Sequence, residues 1–218
     1  MHKGYITQEE SLIQKFGALG FKRRNKMTYE KRHGVAYFHL NFSHSTYGIP
    51  NVKFYSVQAE VVFPKLSELS KELCTIVPVN TAISANIGYL FPSYKTYKEW
   101  RVAEDDSDEY VNSVIEEISN GIHDNVLPLL ERHTCLKQLL YDIVNAKMPK
   151  GWWYDTFCLP PILYYAEGNA TEAQAYMEQM MQQLLQTDEA KRPRHPHQYQ
   201  DFVLKFSDYM KRHQGLQI

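Results

Sequence analysis

Cysteine is scarce and odd in number: Cys74, Cys135 and Cys158 stand far apart in 218 residues. That pattern offers no disulfide framework and points to reduced thiols in a cytoplasm. Glycine and proline, at 10 each, are too few for a collagen-like or low-complexity chain. Long apolar runs are missing as well, the best being broken at Pro78 after Cys74 to Val77, far short of the ~20 residues that cross a bilayer. The opening MHKGYITQEE has no apolar signal region, so the reading expects neither a secretion signal nor a membrane. Gly17, Gly20 and Gly34 fit neither phosphate-loop nor dinucleotide spacing, and no HExxH or CxxC pair is present. No repeat occurs in three or more copies, which excludes a solenoid.

What is there belongs to a globular chain of one or two domains. It is 44% apolar and 22% charged, and its mean hydropathy is −0.48. A chain of this length buries a sufficient core without metals or disulfides. The net charge of −1 hides an asymmetry. Residues 1–100 carry 13 basic and 7 acidic side chains, residues 101–168 carry 5 and 12, and the remainder is balanced. Such a split steers a partner, or one part of the protein toward another.

The first half is strand-rich and the second helical. Thr7 and Glu10 form a capping box, and Leu12, Ile13, Phe16 and Leu19 follow at helical spacing to Gly20, which predicts a helix over about 8–19. Residues 26–32 and 35–44 flank the His33-Gly34 turn as a hairpin, with Ala36, Phe38, Leu40 and Phe42 on one face. Residues 52–63 alternate again and end at Pro64. A short helix carries Leu66, Leu69 and Leu73; a fourth strand is expected over 81–91 and a fifth over 97–102. Asp106 or Ser107 caps a long helix with Val111, Val114, Ile115, Ile118 and Ile122, which must kink or stop near Pro128 before a helix over 136–146. From Pro149 the pattern is helical only: Pro160 and Pro161 suit a first turn, Asn169 a cap, and Met177, Met180, Met181, Leu184 and Leu185 a stripe. A proline-broken connector, 191–197, precedes a last helix with Phe202, Leu204, Phe206 and Met210.

Several of these residues also occur together in one known family. Leu19-Gly-Phe-Lys-Arg-Arg24 with Tyr29, Asn41-Phe42, VQAEVVFPKLSEL over 57–69, Trp100, and Val126-Leu-Pro-Leu-Leu-Glu-Arg132 before Leu136 resemble, in order and spacing, the bacterial domain-of-unknown-function family DUF4304. The resemblance runs over roughly residues 8–146 and leaves the helical tail uncovered. It implies a small bacterial protein, with some relatives that look like immunity or toxin-neighbourhood proteins, and carries over no reaction, cofactor or catalytic residue.

Strand alternation gathers Tyr37, His39, Asn41 and Ser43 beside Ser56, Gln58 and Glu60, with Ser84, Asn86 and Arg101 near. A histidine by a glutamate can act as a general base. The bland alternative is the solvated face that antiparallel sheets commonly keep. A crowd of Tyr, His, Asn and Gln suits recognition better than solubility, for which Lys and Glu suffice. Metal binding has little behind it: His195, His197, Asp201 and His213 supply ligand types without a built spacing. Lys22-Arg-Arg-Asn-Lys26 with Tyr29 could meet nucleic acid, but a pI near 6.8 argues against it. An edge strand guarded against unwanted pairing explains those charges better. No cysteine sits in a nucleophile signature, and Cys158 between Phe157 and Leu159 reads as core. Trp152 and Trp153 are candidate partner anchors, or filler between sheet and helices.

The expectation is therefore an α+β protein, with a four- to five-stranded antiparallel sheet and packed helices in a domain over 1–148 and an all-helical extension over 149–218 packed on it as one unit. The expected function is a non-enzymatic cytoplasmic protein-binding module, immunity-like, with Tyr37, His39, Asn41, Gln58, Glu60, Asn86 and Arg101 as the binding face. It expects a protein partner, no cofactor and no metal, and a monomer or homodimer. Two alternatives stand beside it: a hydrolase or isomerase using His39 with Glu60, and a helical oligomer or scaffold built on the methionine stripe of 177–185.

Overall fold

A computed structural model describes residue 6 and residues 9–73, 82–186 and 196–213. The chain is α+β. Its elements run α1 (Glu10–Ala18), β1 (Lys22–Arg23), β2 (Thr28–His33), β3 (Ala36–Ser45), β4 (Val52–Val62), α2 (Pro64–Leu73), β5 (Ile83–Asn86), β6 (Trp100–Ala103), α3 (Asp108–Gly121), α4 (Leu127–Arg132), α5 (Leu136–Val144), β7 (Trp152–Trp153), α6 (Leu159–Ala166), α7 (Ala170–Gln186) and α8 (Pro196–Arg212). The capping box at Thr7 lies outside the described residues, as does Cys74. Among the described residues no helix is long and apolar enough to cross a membrane.

Two compact units are present. The first takes Met1–Val61, Ile83–Arg132 and Pro149–Trp153; the second takes Val62–Ala82, His133–Met148 and Tyr154–Ile218.

The first unit holds the sheet, in the order β1-β2-β3-β4-β5-β7, with β6 also paired to β4. The two-residue turn is Gly34-Val35, one residue later than the sequence suggests, and it sets the first register. Gly34 sits at φ 60, where a two-residue hairpin needs a residue without Cβ, and His33 opposite Ala36 places Glu30 opposite His39 and Thr28 opposite Asn41. β4 is long enough for two partners on one edge. β6 pairs its first part, with Phe54 opposite Arg101, and β5 pairs its last part, with Gln58 opposite Asn86 and Glu60 opposite Ser84. The core-side residues of β4, Tyr55, Val57, Ala59 and Val61, are all fully buried. Phe38, Leu40 and Phe42 of β3 join them, with Leu12 and Phe16 of α1 and Ile115 and Ile118 of α3. Tyr29 stands edge-on to Phe16 with ring centres 4.8 Å apart.

The sheet has more strands than the alternation shows, because β1 and β7 are two residues each and have no period to read. β7 corrects the expectation that the chain is purely helical after Pro149. Gly151 turns at φ 86 directly before it, and Trp152 pairs with Ala85 while Trp153 pairs with Ser84. The fourth strand stops at Asn86, short of residue 91. There the Asn86 side chain accepts the Gly88 N–H at 2.9 Å and opens a 3-10 turn over Ile87–Tyr89. Gly88 is obligatory, since a Cβ would meet Lys98 and the Thr96 carbonyl.

Ser107 caps α3, accepting the Tyr110 N–H at 3.2 Å. Near Pro128 the helix does not stop. It widens into a π turn over Ile122–Val126, where the Leu127 N–H reaches back to the Ile122 carbonyl. Pro128 is the second residue of α4, so Asp124, whose carbonyl its ring would crowd in a regular helix, lies in the widened turn.

The second unit is helical. Leu66 and Leu69 of α2, Leu139 and Ile143 of α5, Ile162 and Leu163 of α6, Met177 and Leu184 of α7, and Phe202 and Phe206 of α8 form its core. Asp155 accepts the Phe157 and Cys158 N–H groups at 2.9 and 2.8 Å ahead of α6, and Pro160 and Pro161 occupy that helix's first turn. Inside this unit His133 Nε2 meets Asp142 Oδ2 at 3.1 Å, both side chains being 1% exposed. Gln138 donates to the other Asp142 oxygen at 2.8 Å.

Candidate functional site

Residues paired directly across neighbouring strands share a sheet face. The registers therefore draw one transverse row on the face away from the core: Lys22, Glu30, His39, Glu60, Ser84 and Trp153, one from each of β1, β2, β3, β4, β5 and β7. His39 and Glu60 meet across β3 and β4, as do Ser43 and Ser56 four residues along each strand. Asn41 falls opposite Gln58 between them.

His39 lies between two carboxylates. Its Nε2 is 2.9 Å from Glu30 Oε2, and its Nδ1 is 3.8 Å from Glu60 Oε2. An ionised carboxylate only accepts, so the Nε2 proton belongs to the Glu30 bond. Arg24 donates to the same Glu30 oxygen at 3.2 Å. Glu30 is thus the first partner of His39, and composition alone does not single it out. It follows from the turn being Gly34-Val35, since a His33-Gly34 turn would set Tyr37 opposite Glu30.

The polar groups along the middle of this face are turned on one another. Ser43 and Ser56 hydroxyls are 2.7 Å apart, and Gln58 donates to Ser84 Oγ at 3.1 Å. His39 and Glu60 side chains are only 15% and 18% exposed, and Ser56, Ser84 and Asn86 are buried. Tyr37, opposite Arg32, and Asn41 are half-buried on the same face. Asn86 has a separate task. Its Oδ1 accepts the N–H groups of Gly88 and Lys98, and its Nδ2 donates to the Lys98 carbonyl at 3.3 Å, so it ties the end of β5 to the segment entering β6.

The face is open at its β7 edge and at the strand end by the β3–β4 turn. Trp153 is 50% exposed at that edge, while Trp152, one residue earlier, is turned into the core. At the strand end the β3–β4 turn and the segment before β6 bring Tyr47, Phe54, Tyr97 and Glu99 together. Tyr47 and Phe54 ring centres are 5.1 Å apart, and the Tyr47 hydroxyl donates to Glu99 at 2.8–3.0 Å. The Tyr97 hydroxyl donates to Glu99 Oε1 at 3.3 Å. The bond to the Glu99 carboxylate pushes the Tyr47 phenol above its ordinary value. Tyr47 has φ 47, an uncommon conformation for an aromatic residue. Arg101 is exposed at this end and held by Asp106 at 3.2 Å. Phe54, opposite Arg101, is six residues along β4 from Glu60, about 20 Å at strand rise. Arg101 and His39 therefore do not share a site.

A cavity of about 410 Å³ borders the same end, lined by Pro50, Asn51, Val52, Arg101, Glu104 and Asp105. Glu30 and Glu60 approach opposite nitrogens of His39, so the three cannot converge on one ion. Among the described residues no group of three His, Cys, Asp or Glu side chains is placed to hold a metal. His195 is outside the described residues. The basic run Lys22 to Lys26 begins on β1, an edge strand, where exposed Lys22 and Arg23 guard against pairing with another chain.

No curated protein and no solved structure matches the chain. A family model does, over residues 12–132, which is more than half the chain and contains β1 to β6 but not Trp152 and Trp153. The chain belongs to the family described as Domain of unknown function (DUF4304).

Proposed function

We propose that this chain is a non-enzymatic protein-binding module of a bacterial cytoplasm, one that holds a protein partner in the manner of an immunity protein. One observation carries the reading: exposed aromatic side chains stand at a lateral edge and at one strand end of a single polar sheet face. Trp153 is 50%, Tyr47 63% and Tyr97 51% exposed, while the polar groups between are bonded to each other. Tyr and Trp dominate the energetic centres of protein interfaces because they give large contact area at low entropic cost. The odd, widely spaced cysteines support the cytoplasm.

Catalysis by His39 with Glu60 gains nothing from this geometry. Their separation of 3.8 Å exceeds a hydrogen bond, His39 is bonded to Glu30 instead, and the cavity near the face is lined by other residues. The methionine stripe of α7 is partly used within its own unit, where Met177 and Leu184 are buried and Leu185 stays exposed. The test is affinity capture from the native host with the full chain and with Trp153→Ala and Tyr97→Ala variants. A partner retained saturably by the unaltered chain and at least tenfold less by a variant supports the reading. No saturable partner, or equal retention by all three proteins, overturns it.

A further inference from the structure

The Tyr47, Tyr97 and Glu99 cluster has a property that the rest of the polar face lacks. Glu30 and Glu60 in the His39 row each face the imidazole of His39, and Glu30 also Arg24, whereas among the described residues the groups that meet Glu99 are two phenol hydroxyls. Among the described residues no Lys, Arg or His lies within ion-pair distance of Glu99. Two hydroxyl protons occupy about two of the roughly four acceptor positions of a carboxylate, which leaves room for a two-pronged donor. Both rings beside it are more than half exposed, and Phe54 backs Tyr47 from within the sheet. Glu104 and Asp105 add further negative charge around the neighbouring cavity, while the charge of Arg101 is offset by Asp106.

We infer that this cluster accepts an arginine side chain of the protein partner. The guanidinium forks onto Glu99 while its plane lies against the exposed tyrosine rings. Arginine fits better than lysine because it is planar, donates in pairs, stacks on aromatic faces and is more weakly hydrated. The inference rests on the protein-binding reading and names the chemistry that the partner must present.

Two measurements separate the inference from the reading beneath it. In the first, the full chain carrying ¹³C-labelled tyrosine rings is titrated by NMR with methylguanidinium chloride, with methylammonium chloride and sodium chloride as comparisons. Tyr47 and Tyr97 signals are expected to move saturably, more with methylguanidinium than with methylammonium and not with sodium. The movement should be lost in Glu99→Gln and in Tyr97→Ala, and kept in Glu167→Gln, an exposed acidic site on the other unit. Shifts equal to those with sodium chloride, shifts that survive Glu99→Gln, or a response as strong to methylammonium overturn the inference. In the second, partner capture is compared between the unaltered chain and Glu99→Gln. A loss of tenfold or more supports the arginine contact. Equal capture overturns it and leaves the protein-binding reading standing, whereas no capture by the unaltered chain removes that reading and the NMR titration alone then decides whether the cluster holds guanidinium.

Discussion

Asn86→Ala should destabilise the protein by about 3–4 kcal/mol, although it removes no apolar contact of any size. The magnitude follows from three bonds. Asn86 Oδ1 accepts the Gly88 N–H at 2.9 Å and the Lys98 N–H at 3.1 Å, and Nδ2 donates to the Lys98 carbonyl at 3.3 Å. Each backbone group left without a partner costs about 1–3 kcal/mol when water cannot reach it. Gly88 is buried, so its N–H takes the full penalty, while half-buried Lys98 recovers part of its loss from solvent. The alanine itself fits, because the side chain it shortens only bridges β5 to the β6 entry. Urea denaturation should show a lower midpoint with an unchanged slope, and amide exchange at Gly88 and Lys98 should accelerate more than at Ala85. Because the same bonds anchor the segment carrying Tyr97 and Glu99, partner capture should weaken too. A loss below about 1 kcal/mol, or Gly88 and Lys98 amides as protected as before, would show that these bonds do not hold β5 to the β6 entry.

Two further perturbations probe each unit by itself. Burial pushes the Tyr29 phenol up to about 12, so the folded state holds that proton more tightly than the unfolded chain does near its ordinary value of 10. Its contribution, about 2–3 kcal/mol, is fully present below pH 10 and lost as pH rises through 12. Tyr29→Phe should flatten the alkaline fall in stability over that window, and an identical fall in both proteins would contradict the assignment. In the helical unit, Asp142→Ala removes a hydrogen-bond partner of buried His133 and of Gln138 and should cost about 1–3 kcal/mol in urea titrations, and an unchanged midpoint would count against the pair.

Much of this architecture is legible in the residues. Period-two alternation places β2, β3 and β4 and their faces, because one side of each strand is buried against helices that are themselves striped at 3.6 residues. What escapes alternation is what side chains decide across distance. β5 ends at Asn86 because its amide reaches Lys98, twelve residues on, and no local pattern records that bond. β7 is two residues long and is set by Gly151, whose left-handed turn is readable but whose pairing with β5 is not. The long helix passes Pro128 through a π turn and does not stop there, and no local pattern in the sequence records that widening.

The candidate site divides the same way. The polar face is visible from alternation, but the Glu30–His39 pair is not, because the turn falls at Gly34-Val35 and not at His33-Gly34, which shifts β2 against β3 by two residues. The Tyr47, Tyr97 and Glu99 cluster is not visible, since Tyr47 is 52 residues from Glu99 and lies in a turn without periodicity. Arg101 and His39, grouped by the sequence on one face, are separated because β6 takes the first part of β4 and leaves the last part to β5.

The most direct test of the account is the dissociation constant of the captured partner for the unaltered chain, Trp153→Ala and Tyr97→Ala, measured by calorimetry on proteins whose circular dichroism matches. The account predicts that at least one aromatic truncation weakens binding about 30-fold, the ~2 kcal/mol of an interface anchor. Affinities within threefold of each other across all three proteins would show that the partner does not use the open edge and strand end of the polar face, and would contradict the account.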